Sequence, residues 1–267
     1  MAELAALDWS LIGLKTLLVG LVSLIAWRLR TLTGPGSVVM GFMGLTILLF
    51  AGWLWLIPAF TFLLTSALLG WLPDGVSEER ETRTAWQVLA NGTVGWVGVM
   101  LLTTVDGRRW HAVDSLIIYV GAFAAANADT WATELGVRYG GLPRDITSGR
   151  IRSVGASGGI TSVGTIGAAL GAIVIAGLIP WVCPAYSGNW SAIGRVALAA
   201  WLGAMVDSFL GSVAQKRFRC RVCGDDTELA EHCGTRASVR RGILSNNQVN
   251  WICTAVGGVT SWAWLRL

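Results

Sequence analysis

What most constrains this chain is a succession of apolar stretches, each approaching the length needed to cross a bilayer. A spanning helix needs about 20 predominantly apolar residues. Such windows run through Leu11–Trp27, Val38–Phe50, Trp53–Leu72, Val88–Thr104, Leu116–Glu134, Thr161–Val182, Val196–Ala214 and Val249–Leu265. Lipid cannot satisfy an open backbone, so windows of this length are expected to be helices. The fold expected is all-α: a polytopic integral membrane bundle of about eight transmembrane helices. Val38–Phe50 is short, and only the neutral stretch Ala51–Pro58 parts it from the next window, so these two read as a tight hairpin or a re-entrant pair. Composition agrees. With 54% hydrophobic and 13% charged residues, the chain has about half the charge of a soluble domain, and disorder is excluded. Fifteen Trp suit the headgroup level, and 34 Gly suit close helix contacts.

Basic residues orient the bundle. With the amino terminus outside, fifteen Lys and Arg fall on inner loops, while Arg108, Arg109, Arg195 and Arg266 lie outside and Lys15 lies within the first span. Met1–Ser10 carries no Lys or Arg, so the first window reads as a span and not as a signal peptide. A net charge of +4 is too small to point to nucleic acid. The chain reads as a single membrane domain over residues 1–267, with an inward polar insertion at 216–244 and another around Pro73–Thr84. No internal repeat emerges, which gives little support to the duplicated halves of many transporters.

Polar residues stand where a bilayer disfavours them. Asn127, Asp129, Thr130, Thr133 and Glu134 close the fifth span, and acids inside spans are by default functional. Asp129 and Glu134 lie about 140° apart on a helix, so they would flank a ligand. Hard carboxylate oxygens beside phosphates suit Mg²⁺; the plainer alternative is a solvated helix end. The loop holding Gly155, Ser157, Gly158, Gly159 and Thr161 leads into the sixth span, where helix-terminal N–H groups favour phosphate. Arg144, Arg150 and Arg152 precede it. Gly164, Gly167 and Gly171 continue at the spacing of helix packing, which explains them better than it explains the loop.

Asp207 is the deepest acid, sharing one face with Gly211 and Gln215. A salt bridge to Lys15 is the structural alternative. Asn246, Asn247 and Asn250 open the eighth span, and Gln87 and Asn91 open the fourth. In the chosen orientation all five clusters face inward, and a single inward site is the economical account. Cys220 and Cys223, then His232 and Cys233, offer four soft ligands of the kind a structural Zn²⁺ takes, with reduced thiols as the alternative. Cys183 and Cys253 read as packing residues, and His111 lies outside without a partner cluster.

Six motifs carry a resemblance: QVLANG (Gln87–Gly92), NADTWATELG (Asn127–Gly136), PRDIT (Pro143–Thr147), GASGGIT (Gly155–Thr161), DSFLG (Asp207–Gly211) and NNQVN (Asn246–Asn250). From about Arg30 onward the chain resembles the transmembrane protein nineteen family, whose plant members include phytyl-phosphate kinase. The resemblance implies CTP-dependent phosphoryl transfer to an isoprenyl monophosphate, making the diphosphate used for tocopherol and related prenyl lipids. It implies Mg²⁺ on Asp129, Glu134 and Asp207. The polar residues of the six motifs, Thr147 among them, would bind lipid phosphate and nucleotide at a face toward the cytoplasm, or toward the stroma in a plastid. The partners implied are an isoprenyl phosphate, a nucleotide and membrane lipids. The glycine loop departs from the usual GTSGGVT, and Gln248 stands where an acid is frequent. Two other readings stay open: a phytol- or dolichol-type alcohol kinase, and a transporter or lipid-binding scaffold. An alcohol needs deprotonation, and these clusters lack a His, which favours the monophosphate.

Overall fold

The computed structural model describes residues 9–72, 82–104, 112–224, 226–227 and 231–267. Arg80, Arg108, Arg109, His111 and most of the Pro73–Thr84 stretch lie outside the described residues. The long helices are α1 (Trp9–Arg28), α2 (Gly34–Phe50), α3 (Leu56–Gly70), α4 (Ala85–Thr104), α5 (Ala112–Tyr139), α6 (Ser162–Ala176), α7 (Trp190–Val213) and α8 (Asn246–Arg266). Among the described residues, six helical segments are long and apolar enough to cross a membrane. The 17-residue α2 and the 21-residue α8 complete eight antiparallel passes. The protein is a helical membrane bundle, as its apolar windows require.

Helix ends depart from the apolar windows because caps lie outside them. Thr33 caps α2 by accepting from Gly36 N, with Pro35 in the first turn, so that helix begins four residues before Val38. Thr84 and Gln87 form a reciprocal capping box at α4, where Gln87 Oε1 accepts from Thr84 N at 2.7 Å. The sixth window breaks at Gly177, and a short helix, Ile179–Val182, follows.

At the centre stands α5, packed by α3, α4, α6, α7 and α8. Its run of small residues, including Gly121, Ala122, Ala124, Ala125, Ala126 and Ala128, is buried, so neighbours approach backbone to backbone. A Cβ on Gly257 of α8 would lie 2.7 Å from Gly121 O, and one on Gly167 of α6 would lie 3.0 Å from Trp131 O. The inner glycines therefore serve packing. By contrast α2 and α3 diverge: α2 lies on α1 and α4, α3 on α5, and an apolar groove is left between them. They are two full helices joined through Gly52 and the single turn Trp53–Trp55, a splayed hairpin and not a re-entrant pair.

One end of the bundle gathers the carboxyl ends of α5 and α7 with the amino ends of α4, α6 and α8. The opposite end is tied by Asp114 of α5, which accepts from Trp262 Nε1 at 2.9 Å and Arg266 Nε at 2.8 Å of α8. Outside the helices, β1 (Arg144–Asp145) pairs antiparallel with β2 (Gly159–Ile160). In the insertion, β3 (Arg217–Arg219) pairs with β4 (Asp226–Thr227) and β7 (Ser238–Arg241), while β5 (Glu231–His232) pairs with β6 (Thr235–Arg236).

Candidate functional site

The gathered helix ends frame an open cavity of about 720 Å³. All five polar clusters line it. Gln87 and Asn91 come from α4; Asp129, Thr130, Thr133 and Glu134 from α5; Gly155, Ser157, Gly158, Gly159 and Thr161 from the glycine loop. Asp207 comes from α7, and Asn246, Asn247 and Asn250 from α8. Four helices and a loop deliver them because each cluster sits at a helix end on the same side of the bundle.

The acids differ in company. Glu134 is on the rim, and Arg138 one turn later pairs with it while also donating to Leu72 O at 2.9 Å. Asp129 and Asp207 lie close enough for their charges to interact, and the Arg83 charge also acts on Asp129. Asp129 accepts no hydrogen bond from the described residues. Asp207 takes the Asn250 amide at 3.2 Å with that amide oriented to donate. Two neighbouring carboxylates so thinly satisfied suit a divalent cation, whereas Glu134 is already compensated.

Asp207 and Gly211 of α7, and Gln215 just past its end, share one face, as their spacing predicts, and that face borders the cavity and the glycine loop. Asp207 points into the cavity, Gly211 meets the glycine loop, and Gln215 Nε2 donates to Ser157 Oγ at 2.8 Å and Asn246 Oδ1 at 3.3 Å. Gly158 has φ +79°, and an added Cβ would stand 2.5 Å from both Ser212 N and Ser212 Cα. Only glycine admits that turn and that approach together. Within the loop, Ala156 N donates to Ser153 O and Gly159 N to Ala156 O. Thr161 lines the cavity, yet its hydroxyl accepts from Gly164 N at 2.9 Å and so caps α6.

Several expected site residues stand elsewhere. Asn127 is fully buried between helices: Thr65 Oγ1 donates to its Oδ1 at 2.8 Å, and its Nδ2 donates to Gly171 O at 2.8 Å. It is a strut between α3, α5 and α6. Arg144 is exposed and donates to Gly149 O, away from the cavity. Thr147 donates to Asp145 Oδ1 at 2.6 Å and lies 2.9 Å from Ser212 Oγ, serving the loop instead of a ligand. Lys15 donates to Leu48 O at 3.5 Å, so it forms no bridge to Asp207. Gln248 completes a capping box with Ser245, which explains why an acid would serve there equally well and removes it from the cavity.

Asp145 is a missed residue of consequence. Its carboxylate, 2% exposed, accepts from Thr147 N, Ser148 N, Arg152 Nε and Ser212 Oγ at 2.9 to 3.1 Å, locking the β1 loop to α7 beneath Gly158. Burial alone would raise its pKa, but these donors outweigh burial and hold it well below the usual carboxylate range. Asp145→Asn should cost about 3 kcal/mol of stability, read as a lowered melting temperature in detergent. A folded-state pKa below the unfolded one makes this contribution complete above about pH 4 and progressively lost below it. The wild type should therefore lose more stability than the variant between pH 5 and pH 3. Its signal in the sequence was an acid flanked by Thr147, Ser148 and Arg152. Arg83 was also missed: it counted only as an inner-loop charge, yet it lines the cavity and lies over the Phe62 ring at 5.5 Å.

Below the glycine loop, Cys220, Cys223, His232 and Cys233 converge, all four ligand atoms lying within 4.8 Å of one another. Hydrogen bonds from Cys223 N and the His232 ring lower the Cys220 thiol to about 6.

The class is thus a polytopic membrane protein with an acid- and glycine-lined cavity at one end of its bundle. The chain belongs to the integral membrane protein family DUF92, which it matches over residues 17–258. That family agrees with the resemblance read from the motifs. Among curated relatives, an uncharacterised membrane protein of Methanocaldococcus jannaschii, MJ0933, is 29% identical over 91% of this chain and 90% of its own length. Protein PGR of Arabidopsis thaliana is 28% identical over 87% of this chain and 88% of its own. No solved structure matches.

Proposed function

We propose that this protein is a membrane phosphotransferase that moves a phosphoryl group from CTP to an isoprenyl monophosphate. One observation carries the reading. The polar cavity adjoins the apolar groove lined mainly by α1 to α4, and Arg83, Gln87 and Asn91 belong to the walls of both. A ligand anionic at one end and hydrocarbon at the other suits such a pair of adjoining spaces. A soluble nucleotide alone leaves the groove unused; a neutral lipid alone leaves the acids unexplained. The groove, about 240 Å³, lies below the roughly 300 Å³ at which ordinary ligand pockets begin, so it suits one slim chain better than paired acyl tails.

Asp129 and Asp207 would hold Mg²⁺, whose charge would neutralise crowded phosphate oxygens. Arg83 would hold the lipid phosphate at the junction, and the Gly155–Thr161 loop with Lys216 would hold the nucleotide phosphates. An oxygen of the lipid monophosphate attacks the γ-phosphorus of CTP; the bond from that phosphorus to the β,γ-bridging oxygen breaks, and CDP leaves. A phosphate monoester is already ionised near neutral pH, so its attack needs no strong base. The cavity shares its end of the bundle with Arg28, Arg138, Arg152 and Lys216, and this gathering of basic residues supports a cytoplasmic side for it, or a stromal one in a plastid.

The test uses protein purified in detergent with Mg²⁺, CTP and phytyl or geranylgeranyl phosphate. Formation of the diphosphate is expected; no turnover with any of several prenyl monophosphates and nucleoside triphosphates would overturn the reading, and phosphorylation of the free alcohol alone would replace it. The groove makes its own forecast. Gly44, on its wall and 3.6 Å from Val19 Cγ1 if given a Cβ, becomes a plug in Gly44→Phe. Displacing about two methylenes at ~0.8 kcal/mol each should raise KM for a 20-carbon phosphate about tenfold while sparing a five-carbon one. Equal effects on both would show that the tail lies elsewhere.

A further inference from the structure

From the geometry of the insertion we infer a structural zinc site, formed by Cys220, Cys223, His232 and Cys233, that staples β3 onto the glycine loop. The distances fit the metal. Cys223 Sγ lies 3.5 Å and Cys233 Sγ 3.3 Å from the same atom, His232 Nδ1. A tetrahedral zinc with bonds of about 2.3 Å to sulfur and about 2.05 Å to nitrogen sets each sulfur–nitrogen separation at about 3.6 Å. Hydrogen bonding explains this convergence poorly, because an imidazole nitrogen has a single in-plane site and two thiols cannot both use it. All three cysteines are free thiols, so no disulfide accounts for the cluster.

Adjacent ligands such as His232 and Cys233 ordinarily point apart. Here Cys233 adopts φ +51°, a left-handed conformation rare for a residue with a side chain, and Gly234 follows at φ +69°. That turn swings the Cys233 sulfur back beside the His232 ring. Cys220 is 2% exposed, which suits a ligand enclosed by its loop. With all four positions filled by protein, the ion would have no open site for catalysis.

The staple has something to hold. Cys220 follows β3 directly, and the same strand carries Arg217, whose Nη2 donates to Ser157 O at 2.9 Å. Lys216 and Phe218 line the cavity, and Lys216 N donates to Leu244 O at 2.7 Å. One end of β3 is thus fixed by the metal and the other rests on the glycine loop. Short strands of two to four residues cannot hold such an insertion by their ladders alone.

Metal analysis of the full-length protein purified without chelator should find about one zinc per chain. Cobalt-exchanged protein should show thiolate-to-cobalt charge transfer and tetrahedral d–d bands. Cys223→Ser and His232→Ala should each lose the metal, whereas Cys183→Ser keeps it. A wild-type preparation with zinc near zero and no cobalt spectrum would overturn the site. The staple is tested separately: after zinc is removed by a chelator, trypsin should cut after Arg217, Arg219 or Arg221 at least tenfold faster while the helical bundle keeps its elution volume. An unchanged cleavage rate would overturn the stapling. Both readouts are independent of phosphoryl transfer, so they stand or fall apart from the proposed activity.

Discussion

Asp207→Asn and Asp129→Asn are each expected to lower kcat by about a thousandfold or more, the scale on which removal of a charge-stabilising group slows such reactions. Neither should unfold the protein. Asparagine keeps the shape of the side chain, Asp129 gives up no hydrogen bond to the described residues, and Asp207 gives up only that from Asn250. Because the two carboxylates repel, removing one charge should leave melting unchanged or slightly raised when Mg²⁺ is absent. Mg²⁺ should then stabilise the wild type and neither variant, since a ligand that binds only the folded state raises its stability in proportion to its affinity. The checks are initial rates with prenyl phosphate and melting curves with and without Mg²⁺. Full activity in either variant would remove that residue from the cation site. Glu134→Gln makes the contrast: because Arg138 already compensates Glu134, its loss should cost far less activity.

The second large effect is expected from Gly158→Ala. Two penalties combine: a left-handed φ of +79°, worth about 1–2 kcal/mol against a side chain, and a Cβ driven to 2.5 Å from the backbone of Ser212. A backbone neighbour cannot rotate away, so the glycine loop must lift off α7. We expect about 3 kcal/mol or more of lost stability, and activity reduced about a hundredfold as the phosphate-holding loop leaves its place. Gly155→Ala is the control, since Gly155 shares the φ of +79° but would point its Cβ into open space. It should lose about 1–2 kcal/mol at most. Melting temperature and turnover of the two variants decide the matter; equal behaviour would mean that contact with Ser212 is not what positions the loop.

Much of the site was legible before any coordinates. Asp129, Asp207, the glycine loop and Asn246, Asn247 and Asn250 announce themselves because each is polar at the edge of an apolar window, where burial without purpose is disfavoured. Other members were misread for a common reason. Asn127 looks as anomalous as Asp129 in a sequence, yet it faces α3 and α6 and satisfies Thr65 and Gly171. Thr147 and Arg144 sit in a motif with Asp145, and it is Asp145, not they, that the loop is built around. Arg83 gave no signal beyond its charge, because its position over Phe62 depends on how the segment before α4 folds back onto α3.

The apolar windows and the distribution of Lys and Arg by themselves determined a helical membrane bundle and the end at which its polar residues gather. These are sums over neighbouring residues, and burial in lipid reads them directly. Tertiary structure alone decided that Asp129 and Asp207 come together, that α2 and α3 part to leave a groove, and that two sulfurs flank a single imidazole nitrogen. Those outcomes depend on helix rotation and on contacts across tens of residues, where an angle of 100° per residue turns Asp129 toward a cavity and Asn127 toward α3 and α6.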